Sequence, residues 1–350
     1  MEKKKIVFLY TEPAGYFIAC LNELVTREIM EVHLVRWAVN KEAPFQFKFP
    51  DSVFLYNRNS YNSNELEELI QTISPDIICC SGWIDKEYTK ICKLFRNRIP
   101  VIVIIDNQWK GTLKQRLATF LSPFTVLNHY THAFIPGSLQ AEFAKRLGFK
   151  KENILSGYYT ADVDLFRKQY LQNKEAKKNN FPKRFIFTGR YYEFKGIKDL
   201  WQAFTELQNE QSNEWELWCL GVGDIEPIVH PKIKHFGFVQ PEEMEKHISQ
   251  TGVFVLPSRF EPWGVVLHEF AAAGFPLVCS NETGARVAFV EDGKNGFVFN
   301  AGNVIELKQV LKKIMKMNAE ELFKMGEISA KKALTITPKK WTDTILSVLK

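Results

Sequence analysis

Strand-length apolar runs alternate with helix-length amphipathic runs along nearly the whole chain, an order that parallel α/β architecture accommodates and few other folds do. In the first half, strands are expected over Lys5–Tyr10, Glu31–Arg36, Asp76–Ser81, Pro100–Ile105 and His132–Pro136. A helix is expected from an Asn64 cap through Ile70 and closed by Pro75; a second follows Gly137 and Ser138, running from Leu139 to Leu147 before Gly148. The polar, Lys- and Asn-rich stretch 167–183 lacks sustained periodicity and is read as a linker. A fresh series of strands follows at Arg184–Thr188, Trp215–Leu220, Ile233–Phe236, Val253–Leu256, Pro276–Cys279 and Gly296–Val298. Helical segments at Asn303–Met317, Ala319–Leu334 and from Pro338 end the chain.

At 350 residues the chain is long for one core and comfortable for two domains. The division read here is 1–166, a linker at 167–183, a second domain at 184–335, and a helical segment at 336–350 that crosses back to the first domain or stands alone. No apolar run approaches the roughly 20 residues of a transmembrane helix. The apolar start at Ile6 breaks off at Thr11-Glu12-Pro13, which suits a first buried strand better than a signal peptide. Six cysteines without a C-x-x-C pair point to a reducing, cytoplasmic setting.

The net charge of +6 is modest and does not call for nucleic acid. Its distribution is uneven: Lys86, Lys90, Lys93, Arg96, Arg98, Lys110, Lys114 and Arg116 face only Glu87 and Asp106 across the same stretch. Two readings stay open, an ordinary solvated helix face or a surface that meets anionic lipid or a phosphate-bearing acceptor.

Two Rossmann-like domains bind ligands at the carboxyl ends of their strands, so the chemistry belongs in the loops after strands. After the strand ending at Leu256, the loop Pro257–Gly264 carries Glu261, and the helix beyond it carries Glu269. The backbone N–H groups near Gly264, Val265 and Val266 open that helix and make an anion site, where a diphosphate docks between two carboxylates that accept hydroxyl hydrogen bonds.

This constellation resembles the retaining glycosyltransferases of family 4, whose fold is GT-B. The resemblance rests on the E-x7-E pair Glu261 and Glu269 and on the flanking Ser258, Pro262 and Gly264. It extends through Ala272-Ala273-Gly274 with Pro276, through Gly284, and through Glu291-Asp292-Gly293 with Asn295-Gly296-Phe297. It implies an α/β fold of two Rossmann-like domains facing across a central cleft. It further implies transfer of a sugar from a nucleoside-diphosphate sugar to an acceptor hydroxyl with retention. Glu261 would contact the donor sugar and Glu269 the nucleotide ribose. Arg190, after Gly189 at the end of a strand, and Lys195 before Gly196 would bind the diphosphate, where cations stabilise the leaving group. Gly223 would form a glycine turn, Phe238 and Val239 would lie beside the base, and Gly15 would stand where the family has a Gly-rich loop. Where the family has a His on the facing domain this chain has Asp106, which either takes that place or is a structural Asp at a strand end, unless His129 or His132 serves there.

The donor is thus the only co-substrate expected, with no cofactor and no metal. The partners are a glycan or lipid-linked acceptor and, on one of the two readings of the basic stretch, an anionic membrane at its inner face. Surface polysaccharide, lipopolysaccharide or glycolipid assembly is the implied setting. A nucleotide-sugar epimerase of the same fold, or a non-catalytic partner of another transferase, is the alternative. Asp162 and Asp164 superficially match a metal-binding D-x-D pair, but their setting matches the family's metal-free exit from the first domain. His268 is read as a packed or exposed neighbour of Glu269.

Overall fold

The computed structural model describes residues 3–37 and 48–349. The chain divides into two compact units, the first formed by 1–160 with 336–350 and the second by 161–335.

In the first unit seven strands form one parallel sheet: β1 (Lys4–Tyr10), β2 (Met30–Arg36), β3 (Val53–Asn57), β4 (Ile77–Cys80), β5 (Val101–Ile104), β6 (His132–Ile135) and β7 (Ile154–Ser156), in the order β3-β2-β1-β4-β5-β6-β7. Successive side chains of β1 go to opposite faces. Val7 and Leu9 join a core with Leu66, Ile70, Tyr88 and Ile91, while Ile6, Phe8 and Tyr10 join one with Phe17, Leu21 and Trp341. Burial on both faces is why these strands read as continuous apolar runs. Trp341, from the helix Pro338–Leu346, is buried beside Phe8 at a ring distance of 6.1 Å, a burial worth roughly 3 kcal/mol that anchors the C-terminal segment to this unit.

The second unit has a six-stranded parallel sheet of β8 (Arg184–Thr188), β9 (Glu216–Leu220), β10 (Ile233–His235), β11 (Val253–Leu256), β12 (Leu277–Ser280) and β13 (Gly296–Phe299), ordered β10-β9-β8-β11-β12-β13. Chain order reverses between β8 and β11, which pair through Val253 with Phe185 and Phe254 with Ile186. Such a switch point leaves a crevice at the strands' carboxyl ends, because the connections on its two sides run to opposite faces.

Three local expectations differ from the structure. The stretch 167–183 is mostly helix, within Val163–Asn179, and belongs to the second unit. Its apolar contacts are sparse, Val163 and Phe166 being buried at its start, so a largely solvated helix passes for a linker in the sequence. The expected Asn64 cap lies two residues early, at Asn62, whose side chain accepts from Asn64 and Glu65 N–H in a capping box closed by Glu65. Strands β3 and β7 and the helix Leu113–Leu121 have no counterpart in the sequence reading; β3 is an edge strand with three of its five residues exposed, and β7 has three residues.

Candidate functional site

The switch-point crevice of the second unit is built by loops that grip one another. After β8 the chain runs through Gly189 and Arg190 into a single turn, Glu193–Lys195, which Gly196 ends at φ +68°. After β11 it runs through Pro257–Gly264 into the helix Val265–Ala272. The Phe194 carbonyl accepts from Arg259 N–H at 2.8 Å and from Phe260 N–H at 3.2 Å, so the two loops are joined through the backbone. A Cβ on Gly196 would stand 2.0 Å from the Pro257 carbonyl oxygen, an approach only glycine permits. Arg259 then closes the arrangement with a two-pronged pair to Asp199, on the helix Ile197–Glu210, at 2.9 and 2.7 Å.

This lacing brings Lys195 and Glu261 together. The Lys195 ammonium pairs directly with Glu261 Oε2, and both side chains are mostly buried. Ser258 Oγ donates to the same carboxylate oxygen at 3.3 Å. The Glu261 carbonyl accepts from Gly284 N–H at 3.0 Å and that of Trp263 from Ala285 N–H at 2.8 Å, so the loop after β12 braces the site from behind. A cation and a carboxylate held here in mutual contact present one charge of each sign to an incoming ligand.

Arg190 is exposed at the mouth of β8, with its guanidinium 6.0 Å from the Tyr192 ring centre. Gly189 N–H donates to the Leu220 carbonyl at 3.0 Å and Tyr191 N–H to that of Val222 at 2.9 Å, so the loops after β8 and β9 are also laced. Gly223 lies in the second of these, against the Tyr191 backbone. Half-buried Phe238 and Val239 follow β10. Gly264, Val265 and Val266 are half-buried at the start of the helix Val265–Ala272, where the first N–H groups have no intrahelical acceptor. Glu269 lies about one turn further along it. Burial, reinforced by the negative charge of Asp162, raises its carboxyl to about 7.

His268 is inward-facing, and both its nitrogens are engaged. Nδ1 accepts from Ala161 N–H at 2.9 Å, Nε2 donates to the Ala333 carbonyl at 2.8 Å, and the ring stacks on Phe289 at 4.0 Å. Burial lowers it to about 4, a neutral structural imidazole. Asp162 caps the helix Val163–Asn179 through Leu165 N–H at 3.0 Å. Among the described residues no three His, Cys, Asp or Glu side chains gather as a metal site would require. The Glu291–Phe297 stretch is also structural: buried Asn295 accepts from Glu291 N–H at 2.7 Å and donates to the Phe289 carbonyl and Ser329 Oγ.

Asp106 and Gly15 lie in the first unit. Gly15 opens the helix Gly15–Val25 after β1. Asp106, just past β5, accepts from Tyr159 Oη at 3.3 Å, and burial raises its carboxyl. The Tyr159 ring meets that of Tyr16 edge-on at 5.0 Å. These two phenols, invisible as partners in the sequence, give Asp106 a half-buried aromatic setting at the carboxyl edge of the sheet. His132 begins β6 and His129 precedes it, bonded to the Thr125 carbonyl, so both stand at the amino end of that strand.

Residues 182–317 match the family described as group 1 glycosyl transferases. An uncharacterized glycosyltransferase of Methanocaldococcus jannaschii is 30% identical over 123 residues, 33% of this chain and 31% of that protein. The alpha-monoglucosyldiacylglycerol synthase of Acholeplasma laidlawii is 32% identical over 158 residues, 42% of this chain and 38% of that protein. The chain thus matches less than half the length of either relative. Solved structures align along nearly all of it: sucrose-phosphate synthase from Thermosynechococcus elongatus has a TM-score of 0.76 at 13% identity, covering 99% of this chain and 98% of that one. HepE from Anabaena, in complex with UDP and glucose, has a TM-score of 0.68 at 15% identity and 99% coverage of both.

The fold is GT-B. In a GT-B chain each Rossmann-like unit offers the carboxyl ends of its own sheet, and the group 1 match falls on the unit that holds Lys195, Glu261 and Glu269.

Proposed function

We propose that this chain transfers a sugar from a nucleoside-diphosphate sugar to an acceptor hydroxyl, with retention of anomeric configuration. The observation that carries the reading is the Lys195–Glu261 pair at the switch point of the second sheet, directly before a helix start. Arg190, Lys195 and the N–H groups at Gly264–Val266 receive the diphosphate. Glu261 accepts from sugar hydroxyls near the anomeric carbon, and Glu269 from the ribose. Gly189, Gly223, Phe238 and Val239 line the nucleotide's path, and Gly15 and Asp106 belong to the acceptor-side unit.

In the reaction the bond between the anomeric carbon and the diphosphate oxygen breaks, and the acceptor oxygen bonds to that carbon on the same face. The acceptor's proton passes to a donor phosphate oxygen, so no protein base is required. Negative charge grows on the leaving diphosphate, which is where the two cations and the helix start act. HepE's complex with UDP and glucose makes UDP-glucose the first donor to test, and the name of the Acholeplasma synthase makes a lipid the first acceptor to test.

Nucleotide sugars screened for protection against thermal unfolding should identify one that raises the midpoint, because a ligand of the native state stabilises it. With that donor, Lys195→Ala and Glu261→Ala should each lower turnover by at least ~100-fold. Near-normal rates in either variant sink the assignment, and an inverted anomeric proton coupling in the product's NMR spectrum overturns retention.

A further inference from the structure

The helix Leu113–Leu121 in the first unit is amphipathic the wrong way round for a protein surface. None of its residues is buried. Leu113 is 85% exposed, Leu117 59%, Phe120 78%, and Phe124 just beyond its end 78%. At 3.6 residues per turn these four and Leu121 form a single stripe. The half-buried residues Gln115, Ala118 and Thr119 occupy the opposite side, and Gln115 ties that side down by donating to the Gln108 carbonyl at 2.7 Å and accepting from Lys110 N–H at 2.8 Å. The polar side therefore faces the protein, and the apolar side faces out.

The charges complete the pattern. Lys114 and Arg116 fall on the two borders of the apolar stripe, and Lys110 stands at its N-terminal end. From Asn107 to Ala141 the chain has no Asp or Glu. A stripe of large apolar side chains edged on both sides by cations matches a bilayer interface, where acyl chains take the apolar face and anionic headgroups the borders. A second copy suits it poorly, because two such faces packed together bring like charges into register with no acid among them. Arg96, at the end of the helix Lys86–Phe95, is half-buried and donates to the Leu127 carbonyl at 2.8 Å, whereas Arg116 stays exposed while its Nε donates to the Gly111 carbonyl at 3.0 Å.

We infer that the face formed by Leu113, Leu117, Phe120, Leu121 and Phe124 is a docking surface for an anionic lipid bilayer, with Lys110, Lys114 and Arg116 binding its headgroups. The helix lies in the plane of the interface and does not cross it; among the described residues no helix is long and apolar enough to span a membrane.

The test is flotation of the full chain with phosphatidylcholine vesicles, with and without phosphatidylglycerol. The chain should bind the anionic vesicles, and high salt should weaken that binding. Leu117→Gln with Phe120→Gln should lower binding at least tenfold at any salt, and Lys110→Gln with Lys114→Gln and Arg116→Gln on the order of 100-fold at low salt. Unchanged thermal midpoints are expected for both variants, since none of these side chains is buried, and they show that the fold is intact. A separate Phe120→Trp variant should show a blue-shifted emission on anionic vesicles only. Equal binding to neutral and anionic vesicles overturns the inference, as does wild-type binding by either glutamine variant. A wild-type dimer that the Leu117→Gln, Phe120→Gln variant breaks assigns the face to a second copy and overturns it too.

Discussion

Gly196 stands so close to Pro257 that a Cβ on the glycine would lie 2.0 Å from the proline's carbonyl oxygen. The contact joins the loop after β8 to the loop after β11, and through them Lys195 to Glu261. In Gly196→Ala the methyl group meets backbone on a residue already at φ +68°, so the loops must separate. The variant should lose about 2 kcal/mol or more of stability and at least tenfold in kcat/KM. Both are checked by thermal unfolding and steady-state kinetics with the donor found by thermal screening. A stable variant of normal activity would show that the close approach does not position Lys195.

On the proposed assignment of Glu269 to the ribose, donor binding should depend on pH. Its carboxyl titrates near 7 through burial and the charge of Asp162, whose own carboxyl is raised by burial and by Asp164 and Glu242. The ionised form is the better acceptor for ribose hydroxyls, so donor affinity should fall as pH drops through about 7. Stability of the unliganded protein should move the other way. The unfolded carboxyl ionises near 4.5 while the folded one stays protonated, so this group lowers stability as pH rises from about 4.5 to 7. Glu269→Gln should remove both trends. Isothermal titration across pH 5.5–8, as an approximate window around the raised value, and thermal midpoints over the same window check them; a pH-independent wild-type affinity contradicts the assignment.

His268 sits next to Glu269 in sequence, and a neutral imidazole beside a carboxylate invites assignment as a base. The structure engages both nitrogens in backbone bonds to Ala161 and Ala333 instead. Removing the ring takes away both of these bonds and its stacking on Phe289, so His268→Ala should cost about 2–4 kcal/mol. Turnover per folded molecule should stay within a factor of a few. With the folded pKa near 4 and the unfolded one near 6.5, the contribution of His268 to stability is intact above pH 6.5 and lost as pH falls toward 4. Denaturant unfolding at several pH values, with active-site titration of the variant, separates this tie from a catalytic role.

Much of the fold was legible because burial on both sheet faces writes itself as continuous apolar runs: β8 and β11 are found where the sequence places them, at Arg184–Thr188 and Val253–Leu256. Elements that escaped carry little core. The helix Val163–Asn179 turns mostly charged side chains to solvent, and Leu113–Leu121 buries none, so neither prints a stripe that points inward. Within the site, Lys195 and Glu261 could be named one by one from their loops. Their direct pairing could not, because it depends on β8 and β11 being sheet neighbours despite their separation in the chain. Tyr16 and Tyr159, which enclose Asp106, were hidden for the same reason: they follow β1 and β7, and no local spacing relates them to the end of β5.

Arg259 and Asp199 show how the site is kept in register from outside it. Asp199 is buried on the first turn of the helix Ile197–Glu210, and its carboxylate is matched by two guanidinium N–H groups of Arg259 at 2.9 and 2.7 Å. Arg259 is half-exposed, so the pair is worth less than a fully buried one; Asp199→Asn should cost about 1–3 kcal/mol. The larger consequence concerns geometry. Arg259 is two residues before Glu261, and freeing its side chain lets the loop that carries the carboxylate wander. Neither Arg259 nor Asp199 is placed in contact with donor or acceptor, so Arg259→Ala should lower kcat severalfold more than it changes the donor Kd. Arg259→Lys should recover only part of that, because an ammonium cannot reproduce the two-pronged contact. Parallel measurement of donor affinity and kcat decides it: a loss confined to affinity would make Arg259 a binding residue, and full recovery by lysine would make charge alone sufficient.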